Sequence, residues 1–476
     1  MTGTEAAYVG IDQGSHATRA IAYDGCGRQL ASAFTHVDTR RFAPDCVEHD
    51  GESLVAGVGS SLAKLAALVP AERWAGAGLA VQRSTVACWD RLSGALLAPV
   101  ISWQDRRQAA WLQQLSGNAA RVHEITGLPL SPHYGASKLR WCLDHVGAVR
   151  AALAQGRLAG GPLASLLLAR LPEDGSFACD EANASRTQLW SPHDRQWSGE
   201  LLEMFGVPAS ILPALSPTGA EFGRIRVGDA LVPVRACTGD QAAVPWAAGP
   251  LDPATAYVNL GTGAFVLRPI SESRRAAPLL TSVLWSTAGA VQYALEGTVN
   301  GAGSALDWFE GETGFPVGRL LPTLDVAQPP GSNAPLFLNG ISGIGSPFWV
   351  PQFPSRFVGE GTAPERLAAV VESVAFLVQA NLDEMARHVA RPARLVVSGG
   401  LASSDFLPRR IAALAGVPVD CLGGAEATAL GVAFLAAGQP GDWAPPAVRR
   451  LEPADDLSLR SRYAAWRELL AAAIGA

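Results

Sequence analysis

The sequence predicts a mixed α/β protein of two related domains facing one another, with a site between them. Three observations predict it. The chain has 476 residues, enough for two or three domains. A strand–turn motif occurs twice: AYVGIDQGS at residues 7–15 returns as AYVNLGTGA at residues 256–264, a shift of 249 residues. In both halves apolar extended runs alternate with helical patterns. A repeat of about 250 residues is far longer than a solenoid unit, which runs to about 50.

In the first half, AYVGID (7–12) reads as a strand, TRAIAYD as its return, and QLASAFTH, after the GCGR turn, as a third strand. ESLVAGVGSSLAKLAALV has helical spacing, WAGAGLAVQ is a buried strand, and VACWD with ALLAPVISW reads as a hairpin about RLSG. In the second half, AYVNLGTGAFVLRP is strand, turn and strand. LAAVVESVAFLVQANLDEMARHVA is the longest helical pattern, ARLVVSGGLASSDFL runs from strand through a glycine turn into a helix, and EATALGVAFLAAG is a further helix. PWAAGPLDPAT (245–255), with three prolines and a glycine, reads as linker and hinge. The expected domains are residues 1–246 and 247–476.

Composition narrows the function. Hydrophobic residues make up 48% and charged residues 17%, so large cores are expected and disorder is not. A formal charge of −6 offers no basic field for nucleic acid or anionic lipid. The seven cysteines form no C-x-x-C pair, as expected of buried thiols in a reducing cytoplasm. MTGTEAAYVG has no signal-peptide pattern, and no apolar run reaches the roughly 18 residues of a membrane span. No membrane partner and a cytoplasmic location are expected.

Three Gly/Ser/Thr turns follow strands: Asp12–Arg19, Gly261–Gly263 and Ser398–Ser404. Such turns expose backbone N–H groups that hold anions. Only the first carries a carboxylate, which would repel phosphate unless a cation lay between. Mg²⁺ is the natural mediator, because it takes one or two carboxylates with waters and phosphates. Asp12 is therefore expected near Mg²⁺, and the copy with Gly261 in its place is expected to hold phosphate directly. A tight strand turn without a ligand is the alternative for any one of the three. The G-x-x-x-x-G-K-[ST], G-x-G-x-x-G, G-x-S-x-G and H-E-x-x-H motifs are absent. Phosphoryl transfer also needs a group to receive the acceptor's proton. Asp240 in ACTGDQAAVPWAAG is placed for it at a strand-to-helix corner, and reads equally as a helix N-cap.

Taken together, YVGIDQGSHATRAIAYD, VQRSTVACWD, ISWQDRR, TGLPLSPHYGASKLRWCLDH, DEANASRTQLW, TGDQAA, YVNLGTGAF, YALEGTVNGAGSALDWF, GISGIGSPFW and LVVSGGLASSDFL, in this order, resemble the FGGY carbohydrate kinase family, most of all its glycerol kinases. The resemblance runs almost end to end. It implies the actin-like ATPase fold, two RNase H-like domains around a central cleft. It also implies ATP and Mg²⁺, a small sugar or polyol as substrate, and a homodimer among the assemblies the family forms. By the same resemblance Asp240 is the general base and Asp12, with Asp240, belongs to the magnesium site. Ser15, Thr18 and Arg19 fall in the first phosphate turn, Gly261, Thr262 and Gly263 in the second. Gly303 and Asp307 lie at nucleotide-contacting positions, and Gly399, Gly400 and Ser404 at the adenosine turn, Ser404 replacing an asparagine.

Arg83, Trp103, Asp240, Gln241 and Phe265 retain the acceptor pocket. The pocket departs from glycerol kinases at Ser84, where they have glutamate, and at His133, where they have tyrosine, although a one-residue slip brings Tyr134 into that place. His133 reads either as a donor replacing the tyrosine hydroxyl or as a loop histidine. Ala164 stands about where the family has aspartate. The loss of a carboxylate at Ser84 favours a larger polyol or ketose over glycerol. Glycerol phosphorylation proper, and a kinase-like ATP-binding regulator without transfer activity, are the alternative functions.

Overall fold

The computed structural model describes residues 6–325, 330–331, 333–424, 426–443 and 448–475; Met1–Glu5, within the stretch read above for a signal peptide, lie outside them. The first half builds its sheet from β1 (Ala7–Gln13), β2 (Ala17–Asp24) and β3 (Gln29–His36), an antiparallel meander. Helix α1 (Gly51–Ala66) then leads to β4 (Trp74–Val81), parallel to β1, and a long excursion ends in β5 (Ala230–Gly239), parallel to β4. The order is β3-β2-β1-β4-β5, with Arg224–Val227 on the outer edge of β5.

The second half repeats the path. Its strands β6 (Thr255–Leu260), β7 (Ala264–Ile270) and β8 (Val291–Val299) form the meander, and β9 (Arg394–Ser398) and β10 (Val419–Leu422) add in parallel. The order is β8-β7-β6-β9-β10, flanked by Leu280–Ser286 and Val448–Leu451. The two echoing sequences are thus the equivalent first strands of two sheets with one topology.

The hairpin expected from VACWD through ALLAPVISW is reduced. Val86–Asp90 belongs to a separate five-stranded sheet and pairs chiefly with Leu158–Pro162. Its return arm is only Val100–Ile101 with an isolated Trp89–Leu96 bridge, next to Pro99, which has no N–H to donate.

Three helices organise the second half: α2 (Gly303–Thr313), α3 (Ala363–Met385) and α4 (Ala427–Ala436). A capping box of Thr362 and Glu365 starts α3. In α4 nine of ten residues are buried, so it has no solvent face. It packs against β1, β4 and the turn Val244–Ala248, so a helix from the second half sits on the first half's sheet. Glycines allow this approach: a Cβ at Gly10 would meet the carbonyl of Ala429, and one at Gly431 the carbonyl of Ala243. The proline-rich segment read as a linker begins in the core. Trp246 is buried and stacks on Phe434, and only the stretch beyond Gly249 reaches the surface.

Candidate active site

The β1–β2 turn closes tightly, with Gly14 N–H donating to Ala17 O (3.1 Å). It puts Asp12, at the end of β1, opposite Arg19 on β2. Arg19 lies between two carboxylates, 3.8 Å from Asp12 and 3.1 Å from Glu426, which precedes α4. Asp240 begins the one-turn helix Asp240–Ala243 directly after β5. Its carboxylate accepts the N–H of Gln241 (2.7 Å), stands 3.5 Å from Arg83 Nε, and keeps 24% of its side-chain surface exposed. The N-cap position belongs to Gly239, and the Asp240 carboxylate bonds the N–H of the next residue rather than one two or three residues on, so the N-cap alternative does not account for it.

Burial first, then the charge of Asp240, raises Asp12 to about 7, against the pull of Arg19. Burial also raises Asp240, against Arg83. Two carboxylates that oppose each other's ionisation form a donor set that a divalent cation satisfies. Among the described residues no group of three or more His, Cys, Asp and Glu side chains gathers at one point. Asp12 and Asp240 are of the kind Mg²⁺ takes, since it binds through one or two carboxylates and fills its shell with water and phosphate.

The acceptor side lies beside Asp240. Arg83 makes a bidentate pair with Glu296 of β8 (2.8 and 3.1 Å) and lies 5.5 Å from the ring of Phe265 on β7. Arg186 and Ser282 (2.6 Å) also donate to Glu296, which is fully buried. Burial pushes this carboxyl up, but Arg186 and Arg83 override it and hold it down at about 2. Ser84 is buried with φ +65°, a left-handed backbone unusual for serine, and its hydroxyl donates to Arg186 O (3.3 Å). His133 meets the ring of Trp103 (5.7 Å between centroids), and burial followed by Lys138, Arg186, Arg83 and Arg106 drives its pKa well below the usual histidine value, so the ring is neutral. Tyr134 does not take His133's place. It is 3% exposed and lies beneath Arg186. Gln241 accepts from Asn259 of β6 (2.9 Å), a direct bond between the two halves.

The second turn is pinned from behind: Thr262 O accepts from Ala302 and Ser304, and Gly303 donates to Gly261 O (2.9 Å). A Cβ on Gly303 would lie 2.9 Å from that oxygen. Thr262 and Asp307 are exposed. Gly399 has φ +91° and passes so close to β6 that a Cβ would sit 2.5 Å from Leu260 O, while Gly400 is open. Ser404 donates to Asp325 (2.8 Å) and lines a small pocket with Ala302, Leu306, Leu321 and Leu407.

Thr18 is the correction among the expected residues. It is fully buried beneath α1, where Ser61 donates to its carbonyl, so its side chain belongs to the core and not to the rim of the turn. His16 is the exposed residue there. Glu296, Arg186 and Asn259 were missed. A lone carboxylate inside the apolar strand VQYALEGTV was the available signal for Glu296; nothing local marks the other two.

The sequence profile of the FGGY family of carbohydrate kinases, N-terminal domain, matches residues 7–256, and that of the C-terminal domain matches residues 256–439. Glycerol kinase of Allorhizobium ampelinum is 34% identical over 96% of this chain and 97% of its own, and that of Geobacter sp. 33% over 98% of each. In fold the chain is similar to glycerol kinase of Plasmodium falciparum with ADP (TM-score 0.87, 21% identity, 99% of each chain covered). It is also similar to a xylulose kinase of Brucella ovis (0.87, 23%, 98% and 99%).

Proposed function

Because this chain belongs to the FGGY family of carbohydrate kinases, we propose that its cleft transfers the γ-phosphoryl group of ATP to a hydroxyl of a small sugar, ketose or polyol with Asp240 as general base. The chain is an ATP-dependent phosphotransferase with an alcohol acceptor. The observation that carries the assignment to Asp240 is its partly exposed carboxylate, fixed by Gln241 N–H and Arg83 at the corner where the acceptor side meets the first phosphate turn.

In this reading the acceptor lies against Trp103, His133 and Arg83. Asp240 takes the hydroxyl proton as the oxygen bonds to the γ-phosphorus, and the bond to the β-phosphate oxygen breaks to release ADP. The turns at Ser15 and Thr262 hold the phosphates, and Arg19 adds charge beside Asp12. Mg²⁺, held by Asp12 and Asp240, supplies neutralisation of the charge that develops on the transferring group. Gly399 and Gly400 receive the adenosine, with Ser404 at the edge of that turn. The domains we assign are residues 1–246 and 247–476.

Ser84 and His133 put no carboxylate at the two positions where the pocket departs from glycerol kinases, which supports a polyol or ketose larger than glycerol. Glycerol itself is the second reading, favoured by the name of the relatives at 33–34% identity. A cytoplasmic location is supported by seven unpaired thiols, and a homodimer by the family resemblance. Among the described residues no helix is long and apolar enough to cross a membrane.

The test mixes the protein and Mg·ATP with glycerol, erythritol, xylitol, xylulose and gluconate and follows ADP release. At least one acceptor should raise turnover well above the water background. A background rate with every acceptor would overturn the assignment.

A further inference from the structure

The acceptor wall and the first phosphate turn share one side-chain network. Trp103 Nε1–H donates to Ser15 Oγ (2.8 Å), and the Ser15 hydroxyl donates its single proton to Gln82 Oε1 (3.2 Å). Gln82 is 2% exposed and anchored on every side. Its carbonyl also accepts from Thr85 (3.0 Å), its amide donates to Gln13 Oε1 (3.2 Å), and Thr85 Oγ1 accepts the backbone N–H of Trp103 (3.0 Å). The loop closes from Trp103 through Ser15, Gln82 and Thr85 back to Trp103. A serine oxygen has one proton and two lone pairs. To donate to a phosphate oxygen, Ser15 must turn its proton away from Gln82, and the Trp103 N–H then alone fixes where its oxygen sits.

We propose that Trp103 is a positioning residue for the nucleotide: its indole N–H holds Ser15 against the phosphate, so an acceptor packed on the indole and ATP in the turn stabilise each other. This rests on the kinase reading above. Coupling of this kind is reciprocal, so the acceptor must tighten nucleotide binding as much as the nucleotide tightens acceptor binding.

The experiment measures binding of the Mg²⁺ complex of an imido analogue of ATP by calorimetry, with and without the panel's most active acceptor. Wild type, Trp103→Phe, Ser15→Ala and the double variant are compared, and KM and kcat are taken for both substrates. Loss of one neutral hydrogen bond predicts a nucleotide Kd raised about 3- to 10-fold in each single variant with acceptor present. The double variant should be no weaker than Ser15→Ala, because removing the Ser15 oxygen already removes the bond from Trp103. The acceptor's tightening of nucleotide binding should vanish in all three variants. If Trp103→Phe raises only the acceptor KM and leaves nucleotide affinity and its response to acceptor unchanged, Trp103 is merely a wall and the proposal is overturned. Should Trp103→Phe fold poorly, the response to acceptor in Ser15→Ala carries the test, because Ser15 bonds the indole rather than the acceptor: tightening by acceptor that persists there overturns the proposal. Silence of the wild type toward every acceptor would instead count against the kinase reading.

Discussion

Glu296→Gln removes the negative charge that two buried arginines share. The carboxylate receives two bonds from Arg83, one from Arg186 and one from Ser282, and has no exposed surface. Removing one partner of a buried ion pair costs about 3–5 kcal/mol, because the other charge stays behind unpaired. The depressed pKa of the carboxyl points the same way. A folded value of about 2 against 4.5 unfolded corresponds to about 3 kcal/mol. The sign follows from the depressed folded value: this stability is fully present above pH 4.5 and is lost as pH falls toward 2. At pH 3.5, one unit below the unfolded value, about 1 kcal/mol of it is gone. Urea unfolding of wild type and Glu296→Gln at pH 7 and pH 3.5 measures both quantities. The variant should be less stable by about 3 kcal/mol at pH 7, and the gap should narrow by about 1 kcal/mol at pH 3.5. Its acceptor KM should rise, because Arg83 loses the group that aims it. A gap under 1 kcal/mol that does not change with pH would refute the argument that Glu296 holds the pocket together.

Two other expectations follow from the pocket and the packing. Ser84→Glu returns a charged acceptor to a site lined by Arg83 and Arg186, and should lower the KM for glycerol about ten- to hundredfold relative to the parent, read by ADP release over a glycerol titration. Gly431→Ala drives a methyl group into the Ala243 carbonyl, lifts α4 from the first sheet, and should destabilise the protein by about 1–3 kcal/mol in a urea or thermal melt.

Much of the fold was legible because each half carries a strong local signal. The echo AYVGID/AYVNL marked the first strand of each sheet, and Gln29–His36 matches its expected limits because β-rich alternation lies between clear turn residues. Asp12 and Asp240 stood out as candidates because a carboxylate at a strand end is conspicuous in an apolar sequence. What stayed hidden depends on pairing at a distance. Glu296 acquires its role only when β8 is laid beside Arg83 and Arg186, more than a hundred residues earlier. The apolarity of α4 announces burial but not which sheet it covers. Thr18 was misread because sequence places it in the turn, whereas strand alternation turns its side chain inward toward α1.

In the proposed reaction Asp240 takes the acceptor's proton. Asp240→Asn keeps the side chain's size and the bond from Gln241 but removes the basic oxygen, and general-base catalysis is worth about 10²–10⁴-fold. The direct measurement is single-turnover phosphoryl transfer to the best acceptor alongside the Kd of the Mg²⁺ complex of the imido ATP analogue. The transfer rate should fall by at least about a hundredfold with nucleotide affinity within a few-fold of wild type. Transfer within tenfold of wild type, or a loss explained wholly by failure to bind nucleotide, would contradict it.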